Sequence, residues 1–91
     1  MLTDHARVRM QQRGVPPIIV EWLLQYGATS YDHHGGRIRY FDKRSRRRIR
    51  HEKGSAAVRR FHEYLDCYAV MAGDDRVITV GHNYRRIKRA A

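Results

Sequence analysis

The residues of this chain best suited to chemistry open it. In "TDHARVRMQQRG" (residues 3–14), His5, Arg9 and Arg13 recur every fourth position. On a helix turning about 100° per residue, His5, Arg9 and Gln12 share one narrow sector, and Arg13 lies beside it. Ala6 and Met10 form the adjacent apolar sector, so the polar face borders the side that turns toward a core. A histidine there can move a proton near neutral pH. Arginines one and two turns on can grip a phosphate or stabilise charge developing at phosphorus. A solvated basic helix face has the same spacing.

A second such cluster closes the chain. "GHNYRRIKR" places His82 and Tyr84 at a strand end beside Arg85 and Arg86. RNA cleavage needs no cofactor of the protein's own: the 2′-hydroxyl is the nucleophile, and His, Tyr and Arg can move protons and stabilise the phosphorane. A strand terminus with a basic tail explains the same residues.

Between these ends, the run from Arg37 to Arg50 carries eight of the nineteen Lys+Arg, offset only by Asp42. Arg37, Arg39, Arg44, Arg46, Arg47, Arg48 and Arg50, with Arg85 and Arg86, are the candidate phosphate ligands. Tyr31, Tyr40 and Phe41 lie close by and could stack on unpaired bases, although the core has a claim on at least one of them. Asp32, His33 and His34 raise a metal question. Adjacent extended residues point opposite ways, and no cysteine pair or HExxH spacing accompanies them, so no metal and no cofactor is expected. Cys67, the sole cysteine, is expected to be a buried structural thiol and excludes an intramolecular disulfide.

Composition agrees with a polyanionic partner. Nineteen Lys+Arg against nine Asp+Glu give a net charge of +10 over 91 residues, and a hydrophobic fraction of 42% marks a globular chain. Nucleic acid is the leading partner, with RNA the candidate, ahead of an anionic membrane surface or a protein with an acidic face. The apolar run Val15 to Leu24 is broken by Pro16, Pro17 and Glu21 and is too short to span a bilayer. With no signal-peptide pattern, the expected setting is the cytoplasm, away from membranes.

The elements that must position these residues form one domain, 1–91. Thr3 caps a helix over 4–13 that Gly14 stops. Pro17 opens a second over 17–26, apolar almost all round except for Glu21 and Gln25, and Gly27 closes it. Gly35-Gly36 turns a hairpin. The basic stretch 43–63 fits a hairpin arm, a short helix or a loop, and Ser55 could cap a helix over 56–61. "YLDCYAVMA" and "RVITVGH" are the clearest strands, with "GDD" as their turn. The fold class is α+β: two N-terminal helices packed on a mostly antiparallel sheet of about four strands within 28–84, then a basic tail, 85–91.

"HARVRMQQRGV", the helix after it and the closing "RVITV" resemble the small bacterial domain-of-unknown-function family 4258, over residues 4–27 and 76–80. That family is grouped with the barnase/EndoU/colicin/RelE-like nucleases, and "VGHNYRRIKR" is similar to the close of RelE-like toxins. The resemblance implies a RelE-like fold and a metal-independent endoribonuclease of the mRNA-interferase type, acting on free or ribosome-bound RNA and checked by an acidic antitoxin. His5 and His82 would then exchange acid and base roles, Arg9, Arg13 and Arg39 would hold the scissile phosphate, and Tyr84 would orient the base or a proton. A non-catalytic nucleic-acid-binding module and a partner-binding domain fit the same residues.

Overall fold

The computed structural model describes residues 2–31 and 35–84. Asp32, His33 and His34, and the tail 85–91 with Arg85 and Arg86, lie outside the described residues. Helix α1 spans Asp4–Arg13. The Thr3 hydroxyl accepts the Ala6 N–H at its start, and Gly14 ends it in the left-handed conformation at φ 62°. Ala6 and Met10 are its buried stripe. Helix α2 spans Pro17–Tyr26 and buries Ile19, Val20, Trp22, Leu23 and Tyr26. Its wet side is wider than Glu21 and Gln25 alone, since Ile18 and Leu24 are each 37% exposed. Gly27 ends α2 with an ordinary φ of −65°. It is needed for space instead: a Cβ there would stand 2.4 Å from the Leu23 carbonyl oxygen and 3.2 Å from that of Tyr40.

Four strands follow: β1 Ala28–Tyr31, β2 Arg37–Tyr40, β3 Tyr68–Met71 and β4 Val77–Gly81. They pair antiparallel in the order β1-β2-β3-β4, which gives the α+β architecture of helices on a four-stranded sheet. The outer edge of β4 is occupied by the chain start, because Leu2 bridges Val77 in parallel and the Thr3 N–H donates to the Val77 carbonyl. Between β3 and β4, residues 72–76 make the turn: Asp75 sits at φ 69° and its N–H donates to the Ala72 carbonyl.

The stretch left open by its sequence is helical. Helix α3 spans Lys43–Lys53 and helix α4 spans Ser55–Arg60, with a short 3-10 turn over His62–Tyr64 before β3. Ser45 and Ile49, four apart, are the buried stripe of α3. Ser55 makes no capping bond, and Gly54 at φ 91° separates the two helices. Asp42 caps α3 instead: its Oδ1 accepts from both the N–H and the hydroxyl of Ser45, each at 2.8 Å. Burial pushes the Asp42 carboxyl up, but the two Ser45 hydrogen bonds, with Asp42's own backbone and nearby Arg44, outweigh it and the net displacement is downward. A carboxyl depressed on folding stabilises the fold above its unfolded value of about 3.9, and the contribution is lost as pH falls through the lower folded value. Asp42→Ala is therefore expected to lose about 1 kcal/mol at pH 7. The gap from wild type should close in acid, as measured by urea unfolding at both pH values.

The sheet presents two chemically different faces. The cross-strand row Thr29, Arg39, Ala69 and Val80 faces the helices, and Ala69 and Val80 are fully buried there with Ala6, Ile19 and Leu23. The next row alternates to the other face: Ala28, Tyr40, Tyr68 and Gly81. The Tyr68 ring lies over Gly81, where a Cβ would meet it at 2.6 Å. Among the described residues no helix is long and apolar enough to cross a membrane.

Candidate functional site

A groove of about 730 Å³ opens where β2 runs into α3. Tyr40 and Tyr84 form its aromatic wall, and Lys43, Arg44, Arg46 and Arg47 line it from α3. The two tyrosine rings stack at 4.6 Å between centroids and 22° between planes, with Tyr68 at 6.1 Å from Tyr84. Tyr84 reaches this place because the chain reverses after β4. Asn83 takes φ 62°, its N–H donates to Asp66 Oδ2 at 3.2 Å, and the Tyr84 N–H donates to the Asp66 carbonyl at 2.9 Å. Asparagine accommodates that left-handed conformation better than most residues. Asp66 is thus the residue that positions Tyr84.

The cations of α3 divide by what they touch. Arg46 Nη2 donates to the Leu65 carbonyl at 3.0 Å, which ties the helix to the turn before β3. Arg48 lies 5.2 Å over the Tyr26 ring, whose hydroxyl donates to Glu52 at 2.8 Å. Burial, then the Glu52 hydrogen bond, push that hydroxyl above its ordinary value. Lys43, Arg44 and Arg47 are exposed and in no ion pair among the described residues. Arg50 is also exposed, farther along the helix.

Arg37 and Arg39, candidate phosphate ligands by sequence, are both engaged within the fold. Arg39 donates from Nε to the Leu23 carbonyl at 3.1 Å, from Nη2 to that of Leu24 at 2.9 Å, and from Nη1 to Thr29 Oγ1 at 3.0 Å. Its guanidinium satisfies the carbonyl end of α2 and fastens that helix to the sheet. Burial, then the neighbouring Arg37, lower its pKa. Arg37 pairs with Asp75 and donates to the Ala72 carbonyl at 3.1 Å, closing the β3–β4 loop.

The two histidine clusters do not meet. His5 is exposed in the first turn of α1, with Arg9 Nε 3.4 Å from its Nε2. His82 touches the other end of the same helix: its Nε2 is 2.5 Å from the Arg13 carbonyl oxygen. Eight residues of helix, about 12 Å along the axis, separate the two positions. A shared acid–base pair on one phosphate does not fit that separation. The Arg13 guanidinium donates to the Val80 carbonyl at 2.8 Å, so it braces α1 against β4. Arg9 keeps its place one turn from His5.

The other flank of His82 holds a group that spacing did not suggest. Its Nδ1 lies 3.4 Å from Cys67 Sγ and 3.9 Å from Asp66 Oδ1. Cys67 is fully buried, just before β3. Burial, then the Asp66 carboxylate, push its thiol up to about 12. A buried thiol held protonated is no free nucleophile. Of the aromatics, Tyr40 and Phe41 are buried while Tyr31 is 75% exposed.

Lys43 and Asp66 are the residues of the candidate site that the sequence does not single out. Lys43 stood inside a long basic run with nothing to single it out. Asp66 works through a turn whose partners lie 17 and 18 residues away. No protein-family model matches the chain, and no curated protein or solved structure matches it.

Proposed function

We propose that this chain is a non-catalytic module that binds single-stranded RNA along the groove between Tyr84 and α3. The observation that carries the proposal is the pairing of an aromatic stack, Tyr40 and Tyr84, with the exposed cations Lys43, Arg44 and Arg47 across one groove. Phosphates take the cations, and an unpaired base stacks over the tyrosine wall. The net charge of +10 draws the polyanion in. The setting is the cytoplasm, and an acidic antitoxin-like protein would compete for the same cations.

Fluorescence anisotropy with a labelled single-stranded RNA, duplex DNA as competitor, and stepped KCl tests this. Binding is expected to weaken with salt at a log–log slope of about −2, three phosphates at roughly 0.7 each. Salt-independent binding, or duplex DNA competing as well as single strands, would refute it.

Cleavage is the second reading, and the exposed His5–Arg9 pair favours it. The resemblance to RelE-like ribonucleases supplies the reaction, with His5 as the proton-transfer group and Arg9 on the phosphate. RNA cut in EDTA by the wild type and left whole by His5→Ala would replace the module with an enzyme. Intact RNA in both leaves binding as the activity.

A further inference from the structure

Asp66, Cys67 and His82 bring a carboxylate, a thiol and an imidazole together where the 3-10 turn enters β3 and β4 ends. One ligand atom from each lies within 4.8 Å of the other two. We infer that these three side chains form a binding site for a divalent ion of the zinc class. The inference is independent of RNA binding.

The donor set is the first argument. Sulfur, ring nitrogen and carboxylate oxygen together suit a borderline-soft ion and exclude magnesium or calcium, which take oxygen. Distances are the second. In a tetrahedron with zinc–sulfur bonds of about 2.3 Å and zinc–nitrogen or zinc–oxygen bonds of about 2.0–2.1 Å, the sulfur–nitrogen edge is about 3.5 Å and the nitrogen–oxygen edge about 3.3 Å. Cys67 Sγ and His82 Nδ1 are 3.4 Å apart, and His82 Nδ1 and Asp66 Oδ1 are 3.9 Å apart. The sulfur–nitrogen edge already fits, the nitrogen–oxygen edge has to close by a fraction of an ångström, and the sulfur–oxygen edge starts within 4.8 Å.

Orientation is the third argument. A carbonyl oxygen only accepts, so the Arg13 contact at 2.5 Å puts the ring hydrogen of His82 on Nε2. In the tautomer with that hydrogen on Nε2 alone, which is the one a metal binds, the lone pair of Nδ1 faces Cys67 and Asp66. Metal-binding histidines are held in this way, by a second-nitrogen hydrogen bond to a carbonyl or carboxylate. Asp66 is prepared likewise. Its Oδ2 accepts the Asn83 N–H, while its Oδ1 is shielded from solvent and has no hydrogen-bond partner among the described residues. A shielded carboxylate oxygen without a partner is unfavourable, and a cation beside it removes that penalty.

On binding, the Cys67 thiol loses its proton to solvent as the sulfur–metal bond forms, with no change of oxidation state. Three protein ligands leave the fourth position to water, which reaches the site past the half-buried His82 and Asp66. The ion clamps the end of β4 to the turn before β3, two residues from Tyr84.

Titration of the tag-free full chain with Co²⁺ tests this without any variant. Cys67 is the sole cysteine, so a thiolate-to-cobalt charge-transfer band saturating at one equivalent assigns its sulfur as a ligand. Zn²⁺ is expected to displace the cobalt with a Kd of about 1 µM or tighter, and saturating Zn²⁺ to raise the Tm by roughly 10 °C or more. His82→Gln and Asp66→Asn should each weaken Co²⁺ at least about 10-fold, whereas His62→Ala, an exposed histidine on the 3-10 turn, leaves it unchanged. Absence of the charge-transfer band overturns the inference: Cys67 then only donates a hydrogen bond to His82. Binding that survives His82→Gln unweakened overturns it as well and moves the ion to other histidines.

Discussion

Replacing Lys43, Arg44 and Arg47 together by alanine weakens single-stranded RNA binding by roughly 100-fold at moderate salt and flattens the salt dependence by about 2 in log–log slope. The slope follows from three lost phosphate contacts at roughly 0.7 counterions each. The affinity follows from about 1 kcal/mol for each exposed cation–phosphate contact. Unfolding cannot account for such a loss. All three side chains are exposed, and alanine has the higher helix propensity. The variant also relieves like-charge crowding on α3, so its Tm is expected to equal or exceed that of wild type. Anisotropy titrations at several KCl concentrations, with a thermal melt of each sample, measure both quantities. Arg59→Ala with Arg60→Ala, on exposed α4 outside the groove, is the comparison. An equal loss there would mean that diffuse charge, and not the groove, binds the RNA.

The elements that were legible in the sequence carry local signals. Thr3 and Gly14 bracket α1, Pro17 opens α2, and "YAVM" and "VITV" have the β-branched and aromatic content of strands. Each signal acts over a few residues and needs no tertiary partner. Helix α3 was not legible because its sequence argues against it. Seven of its eleven residues are Lys or Arg, and only Ser45 and Ile49 mark an inward stripe. The cap that favours it, Asp42, reads equally well as the end of a strand. What decides the matter is tertiary: a surface on α2 and the turn before β3 for Ile49 and Arg46 to meet.

The candidate groove was legible in its region and not in its membership. Net charge pointed to a polyanion, and the Arg37–Arg50 run named the region. Which cations are free depends on which carbonyls lie unsatisfied nearby, and a sequence does not display those. Arg39 looks like Arg47 on paper, yet the bare end of α2 takes two of its donor nitrogens and Thr29 on β1 takes the third. The wheel placed His5 and Arg9 together correctly, since they share an element. His5 with His82, and Cys67 with His82, were questions of how α1 lies on β4. Helix α1 runs alongside that strand from Val77 to Val80, so its two ends serve different places.

Ile49→Ala is expected to be among the most damaging single substitutions outside α2, and to act on α3 first. An eleven-residue helix is too short to persist alone. This one also sets like charges one turn apart at Lys43–Arg47, Arg44–Arg48 and Arg46–Arg50, each pair unfavourable by about 0.2–0.5 kcal/mol. Its docking therefore rests on Ile49, which is fully buried, with help from the Asp42 cap and the Tyr26–Glu52 bond. Truncation removes that anchor and leaves a cavity, for about 2–5 kcal/mol out of a total of about 5–15. Urea unfolding should show that loss and a Tm lower by roughly 10–20 °C. Hydrogen exchange should show the amides of α3 losing protection before those of β3 and β4. A loss under about 1 kcal/mol would mean that α3 is not held through Ile49. Added salt should recover part of the deficit, because screening relieves the crowded cations. Single-stranded RNA should recover more, about 2.7 kcal/mol at 100 times its Kd, since it binds the docked helix and not the unfolded chain. Recovery by RNA beyond that of equal ionic strength ties the stability of this helix to the ligand its charge is proposed to bind.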